Sequence, residues 1–180
     1  MTPATSLFHA RRPGLSRRIA LLLLACGLAT SACAEADPPA GPASAPAPAV
    51  LQGPKHCQFV VPQGWSGYTV RWEGACAKGR ASGSGVLRAL EKQQVKEVFY
   101  GRLAEGAPQI GVIEKPEGLV AGEFKQGAAV PTDDPGVTVK AFREAEAAAL
   151  QAASRFKASG NEASGRFYRE KAEMLRSQMD

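Results

Sequence analysis

Cys57, Cys76 and His56 are the residues of this sequence best placed for redox or metal chemistry. The two cysteines lack the CxxC spacing of redox and zinc motifs, and no third or fourth metal ligand is evident near His56. Residues 1–34 predict export, and two cysteines within one small domain of an exported protein most simply form a disulfide bond. We therefore predict a structural Cys57–Cys76 disulfide, whose loop of about 20 residues stabilises the fold by about 3 kcal/mol in the chain-entropy model.

Other catalytic constellations are absent from the sequence. His9 falls in the N-terminal segment, and no Ser-His-Asp or Cys-His motif surrounds His56. Gly83-Ser84-Gly85 lacks the strand–turn–helix context of a nucleophile elbow. Gly79-x-x-x-Gly83-x-Gly85 lacks the Lys-Ser/Thr and the helix of a phosphate loop. We therefore expect no enzymatic activity, no cofactor and no bound metal.

Residues 1–34 are typical of a targeting segment for export from a bacterial cytoplasm. Residues 19–29 form an apolar run that is too short to span a bilayer stably. Small residues follow this run, and four arginines precede it: Arg11, Arg12, Arg17 and Arg18. Because Ser16-Arg17-Arg18 also resembles part of a twin-arginine signal, both the Sec and the twin-arginine routes stay open.

Processing of this segment has three possible outcomes. Leu23-Leu24-Ala25-Cys26 resembles a lipobox, in which Cys26 is lipidated, and Thr30-Ser31-Ala32-Cys33 offers Cys33 as a second candidate. Ordinary cleavage after Ala34 removes both cysteines. Cleavage there, or lipidation at Cys33, leaves an even pair of cysteines, whereas lipidation at Cys26 leaves Cys33 unpaired. We therefore expect either a periplasmic protein or a membrane-anchored lipoprotein.

The basic character of the chain belongs to the targeting segment. The whole sequence carries 22 basic and 17 acidic residues, a formal net charge of +5. Four of the basic residues and none of the acidic ones precede residue 35, so 18 basic and 17 acidic residues remain beyond it. This near-neutral balance gives no support to a nucleic-acid partner, which needs a basic face.

Composition divides the rest of the chain into four segments. Residues 35–53 are rich in Ala and Pro, which predicts a disordered tether. Residues 54–130 predict a β domain whose short strands are separated by Gly- and Pro-containing turns. Residues 131–136 form a linker, in which Asp133-Asp134 fit a solvated turn or a helix N-terminus better than a cation site. Residues 137–180 predict a helical hairpin.

A glycine pattern recurs three times within the β domain. The fullest copy reads Trp72-x-Gly74-x-Cys76-x-x-Gly79-x-x-x-Gly83-x-Gly85. Its first half is repeated as Phe99-x-Gly101-x-Leu103-x-x-Gly106 and as Val120-x-Gly122-x-Phe124-x-x-Gly127. The pattern resembles the MORN repeat, aromatic-x-Gly-x-aromatic-x-x-Gly-x-x-x-Gly-x-Gly. Cys76 and Leu103 replace its second aromatic, and Val120 replaces its first.

This resemblance implies an α+β fold, with a MORN-like sheet of antiparallel β-hairpins followed by the helical hairpin. MORN repeats are associated with protein–protein assembly, so it also implies an exported interaction or scaffold module. Its partner would be an envelope protein or a second copy of the chain. The alternative is a periplasmic module that binds cell-wall glycan through exposed aromatic side chains. The candidates for that face, whose spacing favours core packing instead, are Trp65, Tyr68, Trp72, Phe99 and Tyr100.

Each predicted helix carries one narrow apolar stripe. The stripe of the first helix consists of Phe142, Ala145, Ala149, Ala152 and Phe156, and that of the second of Tyr168, Ala172, Leu175 and Met179. Gly160 between them suits a left-handed helix cap. The stripes exceed what one docking face needs. We therefore predict that Tyr168, Leu175 and Met179 contact a partner helix or a second copy.

Overall fold

The computed structural model describes residues 49–180, which form a curled, mostly antiparallel sheet followed by two helices. This arrangement confirms the predicted α+β class. The targeting segment, the lipidation candidates Cys26 and Cys33, and the tether up to residue 48 lie outside the described residues. At the end of the predicted tether, the structure differs from the prediction: Leu51–Gln52 form a short strand that pairs with Val60 and Phe59.

Eight strands and two helices follow one another along the chain. The strands are β1 (Leu51–Gln52), β2 (Cys57–Val60), β3 (Thr69–Ala77), β4 (Gly79–Glu91), β5 (Gln94–Ala104), β6 (Ala107–Lys115), β7 (Gly118–Lys125) and β8 (Ala128–Ala129). The helices are α1 (Pro135–Ala158) and α2 (Glu162–Arg176), and a short 3-10 helix, Ser177–Met179, ends the chain. Strands β3 to β7 form an antiparallel meander, while β2 pairs in parallel with the first residues of β4.

Four hairpins of the sheet turn on the same dipeptide geometry; one turn is Lys92-Gln93, with φ of 48° and 67°, and the other three each end on a glycine of the repeat. Both residues of each turn have positive φ: 50° and 77° at Lys78-Gly79, 51° and 84° at Glu105-Gly106, and 50° and 82° at Gln126-Gly127. Positive φ at both residues is the conformation of the type I′ hairpin turn, whose twist matches that of the flanking strands. These glycines are the second glycine of each copy of the pattern, so the sequence repeat corresponds to a repeat of hairpin turns.

Lys78 should be replaceable by a better turn residue. Lys78→Asn creates the Asn-Gly pair that this turn type favours, so we expect the free energy of unfolding to rise by about 0.5 kcal/mol. Urea unfolding of the full-length chain measures the change. Lys125→Asn, at the end of β7, is the matched control and should not be stabilising. A loss of stability in Lys78→Asn would contradict the turn assignment.

The Trp72 and Phe99 rings pack closely against glycines, both on their own strand and on the neighbouring strand. A Cβ added to Gly74 or Gly85 would stand 2.0 or 2.5 Å from atoms of the Trp72 indole. A Cβ added to Gly101 would likewise stand 2.6 Å from the Phe99 ring. Gly85, Gly101, Gly111 and Gly122 are directly paired across β4 to β7 and form one row. An added Cβ at Gly85, Gly101 or Gly111 would stand 2.5 to 3.0 Å from the Trp72 or Phe99 ring, whereas at Gly122 it would meet no ring.

Both faces of the sheet are covered within the chain. Residues 57–65 cover one face, where Phe59, Val61 and Trp65 pack on residues such as Leu87 and Phe99. The two helices cover the other face. Their side chains pack on Val86, Tyr100 and Val112. The sheet is therefore the middle layer between two apolar cores.

The helices begin and end where their local chemistry predicts. The Asp134 side chain accepts a hydrogen bond from the Gly136 N–H and caps α1, so this aspartate serves a helix N-terminus. The helix begins at Pro135, within the predicted linker. Gly160, with φ of 78°, follows α1, and Asn161 caps α2 by accepting from the Ser164 N–H. The predicted αα-hairpin is confirmed.

The predicted partner-binding stripe of α2 is wrong for its principal residues. Leu175 is fully buried and Tyr168 is 4% exposed, and both pack in the cluster that contains Tyr100 and Val112 of the sheet. Met179 is partly buried against the same cluster. Because α1 contributes mostly alanines to this core, the larger side chains of α2 fill the remaining space.

The aromatic side chains serve mainly to pack the core, as their spacing favours. Trp65, Phe99 and Tyr100 are at most 1% exposed, so these three form no glycan-binding face. Tyr68 and Trp72 are only partly buried.

Within residues 49–180, no helix is long and apolar enough to cross a membrane.

Candidate functional site: a groove along the edge of β3

A groove of about 320 Å³ runs beside the outer edge of β3. One wall consists of five consecutive residues of the strand, 70–74, and the other includes Gly53, Pro54, His56 and Cys57. Consecutive side chains of a strand point to opposite faces, so five in a row can line a groove only where the strand presents its edge. Within the described part of the chain, β3 pairs with β4 alone. The groove therefore exposes an unpaired strand edge.

At one end of the groove, the Gln52 side chain connects the two walls. Its amide oxygen accepts a hydrogen bond from the Val70 N–H at 3.2 Å, and its amide nitrogen donates to the Tyr68 carbonyl at 3.3 Å. One residue of a parallel neighbouring strand would bond this carbonyl and this N–H in the same way. Gln52 thus occupies the edge as one residue of a neighbouring strand would, and the edge continues unoccupied beyond it.

At the other end, the Cys57–Cys76 disulfide connects the walls. The two Cα atoms are 5.4 Å apart, and the bond joins β2 to the end of β3, as the sequence predicted. The opposite wall is itself held by a turn, in which the Cys57 N–H donates to the Pro54 carbonyl at 2.8 Å. These contacts fix the width of the groove at both ends, so the groove is preformed.

Trp72 forms the middle of the groove. Its indole N–H donates to the Ala75 carbonyl at 2.9 Å, which holds the ring over Gly74 and Gly85. The ring is packed against the core but remains partly exposed. The groove thus offers an apolar aromatic surface next to unpaired backbone groups.

The free charges around the groove are basic. Lys55 and Arg71 are exposed and form no salt bridge among the described residues. The one acidic residue of the lining, Glu73, forms a salt bridge with Arg88. The Arg155 guanidinium donates to the Glu73 carbonyl. Burial lowers the pKa of Arg155, and the nearby Glu73 carboxylate opposes this shift. Cationic side chains therefore dominate the charge that a ligand would meet.

Two other hollows are less well built for binding. The larger, about 670 Å³, is bordered by Ala49, Leu51 and the tip of the β3–β4 hairpin, next to the residues that the structure does not describe. The other lies between β5, β6 and α2, where Glu114 contacts both the Lys171 ammonium and the Tyr100 hydroxyl. Burial, and then the Glu114 carboxylate, raise the pKa of Tyr100 far above its usual range, so this hydroxyl remains a protonated donor.

The groove combines residues that the sequence singled out with residues that it did not. Trp72, Gly74, Cys57 and Cys76 meet there, and His56 lines it as well. Gln52 and Arg71 were missed, since Gln52 fell in the predicted tether and Arg71 in an ordinary strand. The lipid candidates lie outside the described residues, and Tyr168 and Leu175 lie in the helix-covered core. Among residues 49–180, no group of three or more His, Cys, Asp or Glu side chains could hold a metal ion.

The disulfide should contribute measurably to stability. We expect the double variant Cys57→Ala/Cys76→Ala to lose about 3 kcal/mol of unfolding free energy, because the loop it frees gains entropy in the unfolded chain. Urea unfolding of the full-length protein measures the loss. Adding a reductant should destabilise the wild type by a similar amount and leave the double variant unchanged. Equal stability of oxidised and reduced wild type would refute a structural role.

The comparisons with known proteins supply no relative. No protein-family model, no curated protein and no solved structure matches the chain. The candidate site therefore rests on strand pairing, packing and charge in this chain itself.

Proposed function

We propose that this chain is an exported, non-enzymatic protein of the bacterial envelope that acts as a protein-interaction or scaffold module. The observation that carries the proposal is the open edge of β3. Both faces of the sheet are covered by the chain's own segments, whereas this edge lies in a preformed groove. Unpaired strand edges are binding sites for other polypeptides because they offer backbone hydrogen bonds in a row.

The repeated hairpins support a MORN-like assignment. Each of the three copies places its second glycine in a hairpin turn with positive φ. In the first two copies, the ring of the leading aromatic packs against the first glycine of the copy: Trp72 against Gly74, and Phe99 against Gly101. The hairpin turns and the ring contacts thus explain the glycine spacing on which the resemblance to the MORN repeat is based. In this assignment, the β sheet is a rigid support that presents its edge to a partner.

Export is supported by two independent features. The N-terminal arginines and the apolar run at residues 19–29 are typical of a signal peptide. The Cys57–Cys76 disulfide fits the oxidising periplasm better than the cytoplasm. Lipidation at Cys26 or Cys33 would anchor the protein to a membrane, and cleavage after Ala34 would release it into the periplasm. The partner is an envelope protein or a second copy of the chain.

The alternative function is binding of cell-wall glycan. Trp72 favours it, because a partly exposed indole in a groove can stack on a sugar ring. Trp65, Phe99 and Tyr100 are buried, and Tyr68 does not line the groove, which leaves this alternative one platform there. We therefore place it second.

Two capture experiments with the full-length protein separate these functions. In the first, reversible cross-linking in envelope fractions should recover a protein partner, or a second copy, in stoichiometric amount. In the second, purified peptidoglycan is sedimented with the protein, and we expect no retention above that of a Trp72→Ala variant. Retention that depends on Trp72, without any protein partner, would refute the proposal in favour of glycan binding.

A further inference from the structure

We infer that the groove beside β3 binds an acidic peptide in extended conformation, as an added strand. This inference rests on the proposed interaction function and names its ligand. Gln52 already makes the two bonds that one residue of an added strand would make at Tyr68 and Val70. A ligand strand would bind the part of the edge that lies between Gln52 and the disulfide.

The backbone of β3 determines which groups would bind the ligand. Because the Val70 N–H points outward to Gln52, the alternation of a strand directs the N–H and C=O of Trp72 outward as well. The Trp72–Leu87 pair in β3 and β4 then carries no hydrogen bonds of its own. In an antiparallel added strand, the residue opposite Trp72 would exchange two hydrogen bonds with it.

The two faces of β3 determine the side chains of the ligand. Val70 and Trp72 lie on the face of the sheet that Phe59 and Trp65 cover, whereas Arg71 lies on the face that the helices cover. Residues opposite each other on neighbouring strands share a face. A ligand residue opposite Trp72 should therefore be apolar, and the residues next to it should be acidic, since they lie beside Arg71. Lys55, an exposed residue between the lining residues Pro54 and His56, adds to this positive potential.

The groove is built in a way that favours such a ligand. Its width is fixed by the disulfide and by the Gln52 contacts, so little ordering is needed on binding. Glu73 is neutralised by Arg88 and would not repel an acidic chain. Its volume of about 320 Å³ is at the lower end of the range for ligand sites, which fits a short stretch of one extended chain.

A designed peptide tests the inference directly. The probe is an acetylated and amidated heptapeptide in which glutamate alternates with valine, titrated against the full-length protein by calorimetry. We expect saturable one-to-one binding, at least tenfold tighter than that of the matching lysine–valine peptide. N-methylation of the valines should abolish binding, because their N–H groups face β3 in an antiparallel strand. N-methylation of the glutamates should be tolerated.

Protein variants test the site. Arg71→Glu should weaken binding of the glutamate–valine peptide at least tenfold, while Arg143→Glu, an equally exposed change on α1, should leave it unchanged. Equal binding of all the peptides, or of both variants, would overturn the inference. A stoichiometric envelope partner whose capture is unaffected by Arg71→Glu would also overturn it, while leaving the proposed function intact. Absence of any protein partner would contradict the proposed function itself.

Discussion

Leu175→Glu is expected to lower the free energy of unfolding by more than about 4 kcal/mol, since it places an unpaired carboxylate in an apolar core. Leu175 is fully buried and packs in the cluster that joins α2 to Val86, Tyr100 and Val112. The damage should therefore extend to the sheet. Urea unfolding followed by tryptophan fluorescence and by far-UV circular dichroism measures sheet and helices separately, and both signals should shift together.

Leu150→Glu is the matched control for this prediction. Leu150 lies on α1 and is 45% exposed, so the same chemical change there should alter stability by no more than about 0.5 kcal/mol. If Leu175→Glu instead preserved stability and changed only the oligomeric state, the α2 stripe would be an interface between chains. That outcome would restore the interpretation of the stripe that its sequence suggested.

Gly101→Val is the second change with a large expected effect, a loss of about 3 kcal/mol or more. An added Cβ at Gly101 would stand 2.4 Å from the Ile110 carbonyl oxygen, 2.6 Å from the Phe99 ring and 2.8 Å from the Gly111 Cα. Two of these atoms belong to the backbone of the neighbouring strand, which can move only by disturbing the sheet. Gly74→Val should cost less, because the clashing atoms belong to the Trp72 side chain, which borders the open groove.

Gly67→Val provides the control for the glycine row. No heavy atom lies within 4 Å of an added Cβ at Gly67, and its φ is not in the left-handed region. Urea unfolding of both variants measures the effect, and we expect the unfolding free energy of Gly67→Val to stay within about 0.5 kcal/mol of the wild type. A similar loss in both variants would show that the tight strand contact at Gly101 is not the cause.

Local patterns were sufficient to predict the hairpins and helices. The glycines of the repeat correspond to tight turns and to close contacts with aromatic rings, and both demands act within one hairpin. The helix caps at Asp134 and Gly160 are similarly local. The Cys57–Cys76 pair could be predicted because these are the two cysteines of the predicted β domain, which leaves a single simple choice.

The site itself depends on contacts that no local pattern encodes. Gln52 lies in an Ala- and Pro-rich stretch that favours a tether, yet tertiary pairing with β2 and β3 fixes it. The apolar stripes of the two helices suggested a partner because they exceed what one docking face needs. Their true partners, Val86, Tyr100 and Val112, are separated from α2 by many residues and are visible only in the folded chain.

Photocross-linking from the groove in living cells tests the central claim most directly, that this chain binds a protein through the edge of β3. Benzoylphenylalanine is placed at His56 in the groove wall, or at the exposed Lys140 of α1 as the control, in the full-length protein. We predict one defined protein adduct from position 56, lost when Arg71→Glu is added, and no such adduct from position 140. The same adducts from both positions, or none from position 56, would contradict the claim.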